Sequence, residues 1–151
     1  ITVMIQGDEP MTHHSMIDAA VAPMLNDKDV QITNLMANIS SVEEFNDHNC
    51  IKVVCDLKSD AIYFSRQPIP TQSSPDISKA MKQVCVIPFR HDFLLEYTRL
   101  KPTPLEILES IDMLRVLEHG NKVRMVQTTH ATFAVDTLED LKKVELLINT
   151  V

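Results

Sequence analysis

Hydrophobic and polar positions alternate along this chain with two periods, one of strands and one of helices. Ile1-Thr2-Val3-Met4-Ile5 is a nearly continuous apolar run that ends abruptly in Gln6-Gly7-Asp8-Glu9-Pro10. That composition predicts a strand buried on both faces of a parallel sheet. Thr12 is placed to cap a helix running to about Asn26, with a loose apolar face of Met16, Ala19, Ala20 and Met24; Pro23 is expected to kink or end it. Val30 to Ile39 reads as a second strand of imperfect alternation. Ser41-Val42-Glu43-Glu44 has the spacing of a capping box and predicts a short helix to about Asn46, followed by turn chemistry in Asp47-His48-Asn49.

Two strands follow, Cys50 to Cys55 and Ala61 to Ser65, joined by the polar Asp56 to Asp60 as a β-hairpin. Gln67 to Lys79, rich in proline and serine, reads as a loop. Met81 to Phe89 reads as one strand closed by Pro88, and His91 to Leu100 as a short helix on Phe93, Leu94 and Tyr97. Thr103-Pro104-Leu105-Glu106 carries a cap, a first-turn proline and a box-completing glutamate. It predicts one long helix to about His119, stopped by Gly120. Its apolar positions (Leu105, Ile107, Leu108, Ile111, Met113, Leu114, Val116, Leu117) spread well beyond one stripe, so it is either a central core helix or a helix packed on a partner chain. Lys122 to Gln127 reads as a strand, Thr132 to Val135 as a further one, and a last helix begins around Asp136 and runs to about Ile148, with Asp136 a candidate N-cap. Mostly alternating strands and helices predict an α/β sheet with a hairpin excursion in its middle, as one domain over residues 1–151.

Composition narrows the class. The chain has 151 residues, 44% hydrophobic and 23% charged, ordinary for a globular domain with a real core. A net charge of −7 argues against nucleic acid and anionic membrane as partners. No apolar run approaches the roughly 20 residues of a membrane helix. Cys50, Cys55 and Cys85 are odd in number and lack metal-ligand spacing, which predicts reduced thiols in a cytoplasm. Only Gly7 and Gly120 are glycines, so the chain has no Gly-rich, phosphate-cradling loop.

Candidate chemistry is sparse on pattern alone. Ligands in open α/β sheets gather beyond the carboxyl ends of strands. Gly7 permits close backbone approach there, and Asp8 is either a hard oxygen ligand for magnesium or the start of the next helix. His13 and His14 point about 100° apart on a helix and read as solvated helix-start residues, with a metal role the lesser alternative.

The motifs Gln6-Gly7-Asp8-Glu9-Pro10, Ile51-Lys52-Val53-Val54, Tyr63-Phe64-Ser65-Arg66, Pro68-Ile69-Pro70, Pro102-Thr103-Pro104-Leu105-Glu106, Leu114-Arg115-Val116-Leu117 and Val135-Asp136-Thr137-Leu138-Glu139-Asp140-Leu141 occur in this order. In order and spacing the chain resembles the C-terminal portion of the 3-deoxy-manno-octulosonate cytidylyltransferase family, which makes CMP-Kdo for lipopolysaccharide. The resemblance covers nearly the whole chain. It leaves out the family's N-terminal part, whose Gly-rich loop and basic residues serve CTP, in keeping with the glycine count.

The resemblance implies a Rossmann-like nucleotidyltransferase sheet, partial here, with the hairpin and long helix forming a homodimer contact. It implies attack of the anomeric hydroxyl of a 3-deoxy sugar acid on the α-phosphate of CTP, with release of pyrophosphate. The metal carboxylates fall on Asp8 and Asp136, for magnesium. Sugar contacts fall on Gln6 and on Arg66, whose guanidinium suits a carboxylate; the alternative for Arg66 is a structural salt bridge. The chain departs from the family at Gln83, where the family has His, and at Asp112-Met113, where it has Glu-Gln; family tyrosines are missing near Ile87 and Phe89. These changes imply a sugar related to Kdo, such as an amino-substituted octulosonate or a nonulosonate. Three functions follow as expectations: a cytidylyltransferase whose nucleotide half lies elsewhere, a non-catalytic dimerising or regulatory homologue, and a domain using the same carboxylates on a different nucleotide or sugar phosphate.

Overall fold

A computed structural model describes residues 1–71, 77, 79–130, 132–135 and 137–149. The fold is mixed α/β. Strands β1 (Thr2–Ile5) and β6 (Val86–Phe89) form a two-stranded antiparallel ribbon. A five-stranded sheet runs in the order β4 (Ala61–Ser65), β3 (Lys52–Cys55), β5 (Met81–Val84), β2 (Thr33–Asn38), β7 (Arg124–Gln127). Among the described residues of this sheet β2 and β7 pair in parallel, and the other pairs are antiparallel. An isolated bridge between Ile32 and Phe89 joins the ribbon to the sheet. No helix among the described residues is long and apolar enough to cross a membrane.

The opening run therefore forms its strand but not the expected parallel, doubly buried one. β1 pairs antiparallel with β6, and Ile1 and Ile5 are half exposed. Val3 and Met4 point to opposite faces and reach two different cores. One core packs Met16 and Ala20 of α1 (His14–Asn26) on Leu35, Ala37, Val84 and Val86. The other gathers Ile32, Val53, Phe64, Phe89, Phe93, Met113, Val116 and Met125.

α1 is capped by His13, not Thr12, through acceptance of the Ser15 N–H at Nδ1 (3.3 Å). Pro23 lies inside it without ending it, since burial of Met16, Ala20 and Met24 outweighs one missing hydrogen bond. The histidines are not simply solvated. His13 stacks on His130 at 5.1 Å and lies 4.0 Å from His14, and Ser15 Oγ sits 2.8 Å from both His13 Nδ1 and His130 Nε2.

α2 (Val42–Asn46) is capped by Ser41 as read, although the Glu44 carboxylate reaches back one residue further, to the Ser40 N–H at 2.7 Å. The single strand expected over Met81 to Phe89 is two strands, separated at Cys85 and divided between the sheet and the ribbon. α3 (His91–Tyr97) follows β6 as expected.

The long helix is two helices at a corner, α4 (Pro104–Glu109) and α5 (Met113–Glu118). Ser110 breaks it with φ +54°, a left-handed conformation unusual for a residue with a Cβ. The Ile111 N–H returns to the Glu106 carbonyl (3.3 Å), closing α4 as a Schellman-like cap usually made with glycine. The break divides the apolar surface. Met113, Leu114 and Val116 of α5 are core, while Ile107 and Leu108 of α4 are 69% and 79% exposed. Gly120 ends α5 with φ +79°, the stop the sequence predicts.

No strand forms over 132–135, and α6 (Leu138–Ile148) is capped by Thr137 in a box with Asp140. Asp136 lies outside the described residues, as do residues 72–76 and 78 of the Gln67–Lys79 loop.

The hairpin reaches back over the sheet. The Met125 N–H donates to Ser59 O (2.7 Å) and the Ala61 N–H to Val123 O (2.9 Å), so the turn covers the start of the β7 edge. Asp60, 5% exposed, ties this closure by accepting from Arg124 Nε (2.6 Å) and Lys122 Nζ (3.0 Å). Asp60→Asn should cost about 1–2 kcal/mol, since its partners stay partly solvated. Urea denaturation at neutral pH checks this; an unchanged midpoint would show that the closure is held by backbone bonds alone.

Candidate active site

The carboxyl end of β1, the turn after α2, the end of β4, the middle of β5 and the segment before α6 surround one cleft of about 560 Å³. A smaller cavity of about 140 Å³ adjoins it toward the α4–α5 corner, and both are lined by Gln6, Ile51, Arg66, Gln83 and Cys85. Five residues singled out in the sequence meet in these two spaces with Asp8: Gln6, Arg66 and Gln83 line both, Asp112 and Met113 line the smaller, and Asp8 lines the larger. They span more than a hundred positions of sequence, and the antiparallel β5 and the corner at Ser110 bring them together.

Asp8 stands on the loop beyond β1. Its Oδ1 is buried and accepts no hydrogen bond among the described residues, an exception among buried oxygens. The Val135 N–H donates to the Asp8 carbonyl at 2.9 Å, which brings the segment preceding Asp136 in the chain against the Asp8 loop. No group of three or more His, Cys, Asp or Glu among the described residues is arranged to hold a metal. A site of one or two carboxylates is the usual protein share for magnesium, and a buried carboxylate oxygen without a donor fits it.

Arg66 is fixed by carbonyls. Its Nε donates to Glu109 O (2.7 Å), Nη1 to His48 O (3.1 Å) and Nη2 to Ser110 O (3.2 Å). No carboxylate pairs with its guanidinium among the described residues, and two of its five N–H donors stay available for a ligand anion. Glu109 holds the backbone instead: its carboxylate accepts from the Arg66 N–H (2.9 Å), Ser65 Oγ (3.0 Å) and Tyr63 OH (3.1 Å). Burial pushes that carboxyl up, but these bonds outweigh it and hold it below its ordinary value.

Gln83 turns inward. Its Nε2 donates to Asn34 Oδ1 (2.6 Å), and Asn34 in turn donates to Val84 O (2.7 Å). Met113 is 1% exposed, so it forms the floor of the smaller cavity from the core side. Gln6, by contrast, is exposed at the mouth.

Sequence reasoning missed residues of the wall and residues that support it. Lys82 Nζ pairs with Glu44 (2.6 Å), donates to Thr132 O (3.0 Å) and lies 5.8 Å over the Phe133 ring. Lys52 is wholly buried, and its signal was a lysine inside the apolar run Cys-Ile-Lys-Val-Val-Cys. Glu109 carried no signal while the helix was read as continuous. Cys50 also lines the cleft, but burial, followed by the nearby Glu44, pushes its thiol up to about 11, so it stays protonated and non-nucleophilic at neutral pH.

The cleft is acidic overall. Asp8, Glu9, Glu43, Glu44, Asp47 and Asp140 face Arg66, Lys82 and Lys143. Such a lining attracts a divalent cation and admits a polyanion only with its counter-ion.

A family model described as cytidylyltransferase matches residues 1–128. The chain is 40% identical over 155 residues to a 3-deoxy-manno-octulosonate cytidylyltransferase of Geobacter metallireducens, covering 95% of this chain and 61% of the relative. It is 43% identical over 148 residues to the protein of that name from Solibacter usitatus, covering 97% and 59%. A solved structure described as CMP:2-keto-3-deoxy-manno-octonic acid synthetase complexed with CTP superposes with a TM-score of 0.87 at 32% identity, covering 98% of this chain and 61% of that one. The chain thus spans about three-fifths of the length of these relatives. With the fold, the family model and these relatives in agreement, the chain belongs to the cytidylyltransferase family.

Proposed function

We propose that this chain carries the sugar-acid and metal side of a cytidylyltransferase that activates a 3-deoxy sugar acid with CTP, releasing pyrophosphate. The observation that carries the reading is the convergence of Gln6, Asp8, Arg66, Gln83, Asp112 and Met113 on two adjoining cavities. Phosphoryl-type transfer needs positioning and charge neutralisation more than covalent help from the protein, and among its described residues this cleft offers fixed donors and carboxylates and no activated nucleophile. The two unspent N–H groups of Arg66 suit a carboxylate of the sugar acid. Gln6, exposed at the cavity mouth, suits a sugar hydroxyl.

Asp8 and Asp136 would hold magnesium, which when bound neutralises phosphate charge between donor and acceptor. For Asp8 the support is its buried, unpartnered Oδ1. Asp136 rests on the family resemblance, helped by the Val135 bond to Asp8. The acid excess of the cleft makes CTP without a metal a poor ligand.

The sugar is one related to Kdo, with synthesis of a lipopolysaccharide-type glycan as the setting. Gln83 spends its amide on Asn34, and Asp112-Met113 bring an acid and an apolar group to the smaller cavity. A site built for a hydroxyl discriminates strongly against analogues that leave its polar groups unpaired, so these changes shift the sugar chosen. The exposed Leu105, Ile107 and Leu108 of α4, with Ile62 of the hairpin, support a homodimer contact. CTP chemistry and three free thiols fit the cytoplasm.

The test is calorimetric titration of the chain with CTP, with and without magnesium, followed by Kdo and its amino-substituted analogue. Magnesium-dependent CTP binding in about the micromolar to millimolar range typical of enzyme substrates is expected, with preference for one sugar acid. Binding of CTP that ignores magnesium, or equal binding of every sugar acid, would count against the reading.

A further inference from the structure

We infer that Lys52 is the positioning residue for Arg66, acting on the sugar-acid site from inside the sheet. The inference rests on the reading of Arg66 as the anion anchor of that site. Lys52 is the first residue of β3 and 0% exposed. A lysine is almost never fully buried unless its charge is satisfied. Here the ammonium donates to three backbone carbonyls, Asp47 O (2.7 Å), Cys50 O (2.5 Å) and Arg66 O (2.5 Å). Three donors thus meet three acceptors, and the cation's inventory is used in full.

The identity of the acceptors gives the role. Asp47, Cys50 and Arg66 all line the cleft. They come from two separate stretches, the turn after α2 and the end of the hairpin, which no strand ladder joins at those residues. Lys52 bolts them together. The same turn supplies His48 O, which accepts from Arg66 Nη1. One end of Arg66, its carbonyl, is therefore held by Lys52, and one of the three guanidinium bonds, at Nη1, goes to a turn that Lys52 also holds, the other two going to Glu109 O and Ser110 O.

The sheet register adds an independent point. Lys52 pairs with Lys82 across β3 and β5, so both side chains leave the same, cleft-side face. Like charges directly opposite each other are destabilising in an antiparallel pair. Each lysine is accommodated by separate work on the cleft: Lys82 pins Glu44 and Thr132, and Lys52 pins Asp47, Cys50 and Arg66. A core that needed only volume at this position would be served by methionine without the cost of burying an ammonium.

The test uses the whole chain and needs no ligand. The Nε–H of Arg66 donates to Glu109 O. Its ¹⁵N–¹H signal, assigned by its loss in Arg66→Lys, reports whether the guanidinium keeps its place. The Nε–H groups of Arg90, Arg115 and Arg124, bonded to Val30, Glu106 and Asp60, are internal controls away from Lys52. In Lys52→Met, exchange of the Arg66 Nε–H with water should accelerate about tenfold or more while the three controls keep their rates. Lys52→Gln, which keeps donors on a shorter stem, should give the same pattern more weakly. An unchanged Arg66 signal in a folded variant would overturn the inference. Acceleration at all four arginines, or failure of both variants to fold, would overturn it too, because Lys52 would then serve the core and not the site. Adding Kdo to the wild-type chain tests the underlying reading separately. A shift of the Arg66 signal supports Arg66 as the anchor, and no shift removes that reading while leaving the Lys52 comparison intact.

Discussion

Asp8→Asn is expected to abolish magnesium-dependent CTP binding by this chain, with affinity falling by about a hundredfold or more, or about 2.7 kcal/mol. Two features make the effect large and its cause clean. The carboxylate is the one described side chain of the cleft with a buried oxygen that no protein group satisfies and with the charge to hold a hard cation. The substitution also keeps the side chain's shape, so the loop and the Val135 bond to the Asp8 carbonyl, which is a backbone contact, should stay. In the absence of metal the variant should melt no lower than the wild type, because the replaced oxygen accepts nothing in the free fold. Parallel titrations with magnesium and with a chelator, together with thermal melts, separate the two effects. Equal magnesium-dependent affinity in the two proteins would show that Asp8 is not a ligand.

Much of this architecture was legible because local rules and tertiary packing agree. The hairpin over Cys50 to Ser65, the Ser41 cap, a strand within Lys122 to Gln127 and the stop at Gly120 all stand where residue chemistry puts them. The misreadings share one cause: burial and distant hydrogen bonds overrode a local pattern. Ser110 is left-handed without being glycine because the Glu106 carbonyl accepts the Ile111 N–H and Arg66 takes the Ser110 carbonyl, and neither partner is visible in the run Glu109-Ser110-Ile111-Asp112. Cys85 splits the stretch Met81 to Phe89 because β5 belongs to the sheet and β6 to the ribbon, a matter of pairing that no alternation records. Pro23 stays inside α1 because three buried residues of that helix hold it on the sheet.

The site divides in the same way. Asp8 could be singled out because it follows a strand end, whereas Gln6 and Arg66 are singled out only by the family resemblance. Nothing local, however, says that Gln83 and Asp112 meet them. That meeting depends on the antiparallel placement of β5 and on the corner between α4 and α5. The supporting residues were the least legible, since Lys52 and Glu109 act through backbone atoms of residues 14 and 43 positions away.

The corner itself should depend on Glu106, and Glu106→Gln is expected to destabilise the fold by about 2–3 kcal/mol at neutral pH. Glu106 is 7% exposed and accepts from Arg115 through both Nε (2.8 Å) and Nη2, and from the Thr103 N–H (3.1 Å). Arg115 in turn lies 4.9 Å over the Tyr97 ring, so one carboxylate ties α4, α5 and α3 together. Glutamine preserves the volume but leaves the guanidinium without its counter-charge; the partial exposure of Arg115 keeps the loss below that of a fully buried pair.

The pH dependence follows from the same contacts. The Arg115 hydrogen bonds hold the Glu106 carboxyl below its ordinary value, against burial and with help from the Thr103 N–H. A carboxyl lowered on folding contributes stability that is fully present above its unfolded value of about 4.3 and is lost as pH falls through the folded value. The gap between wild type and Glu106→Gln should therefore be constant from neutral pH to about 5 and close progressively below 4. Asp60, Glu44 and Glu109 are also lowered, but they titrate in both proteins and cancel in the difference. Urea denaturation of the pair at pH 7, 5 and 3, followed by circular dichroism, measures the gap. A gap that persisted unchanged at pH 3 would mean that Glu106 holds the corner by packing, because a charge contribution vanishes once the carboxyl is protonated in both states.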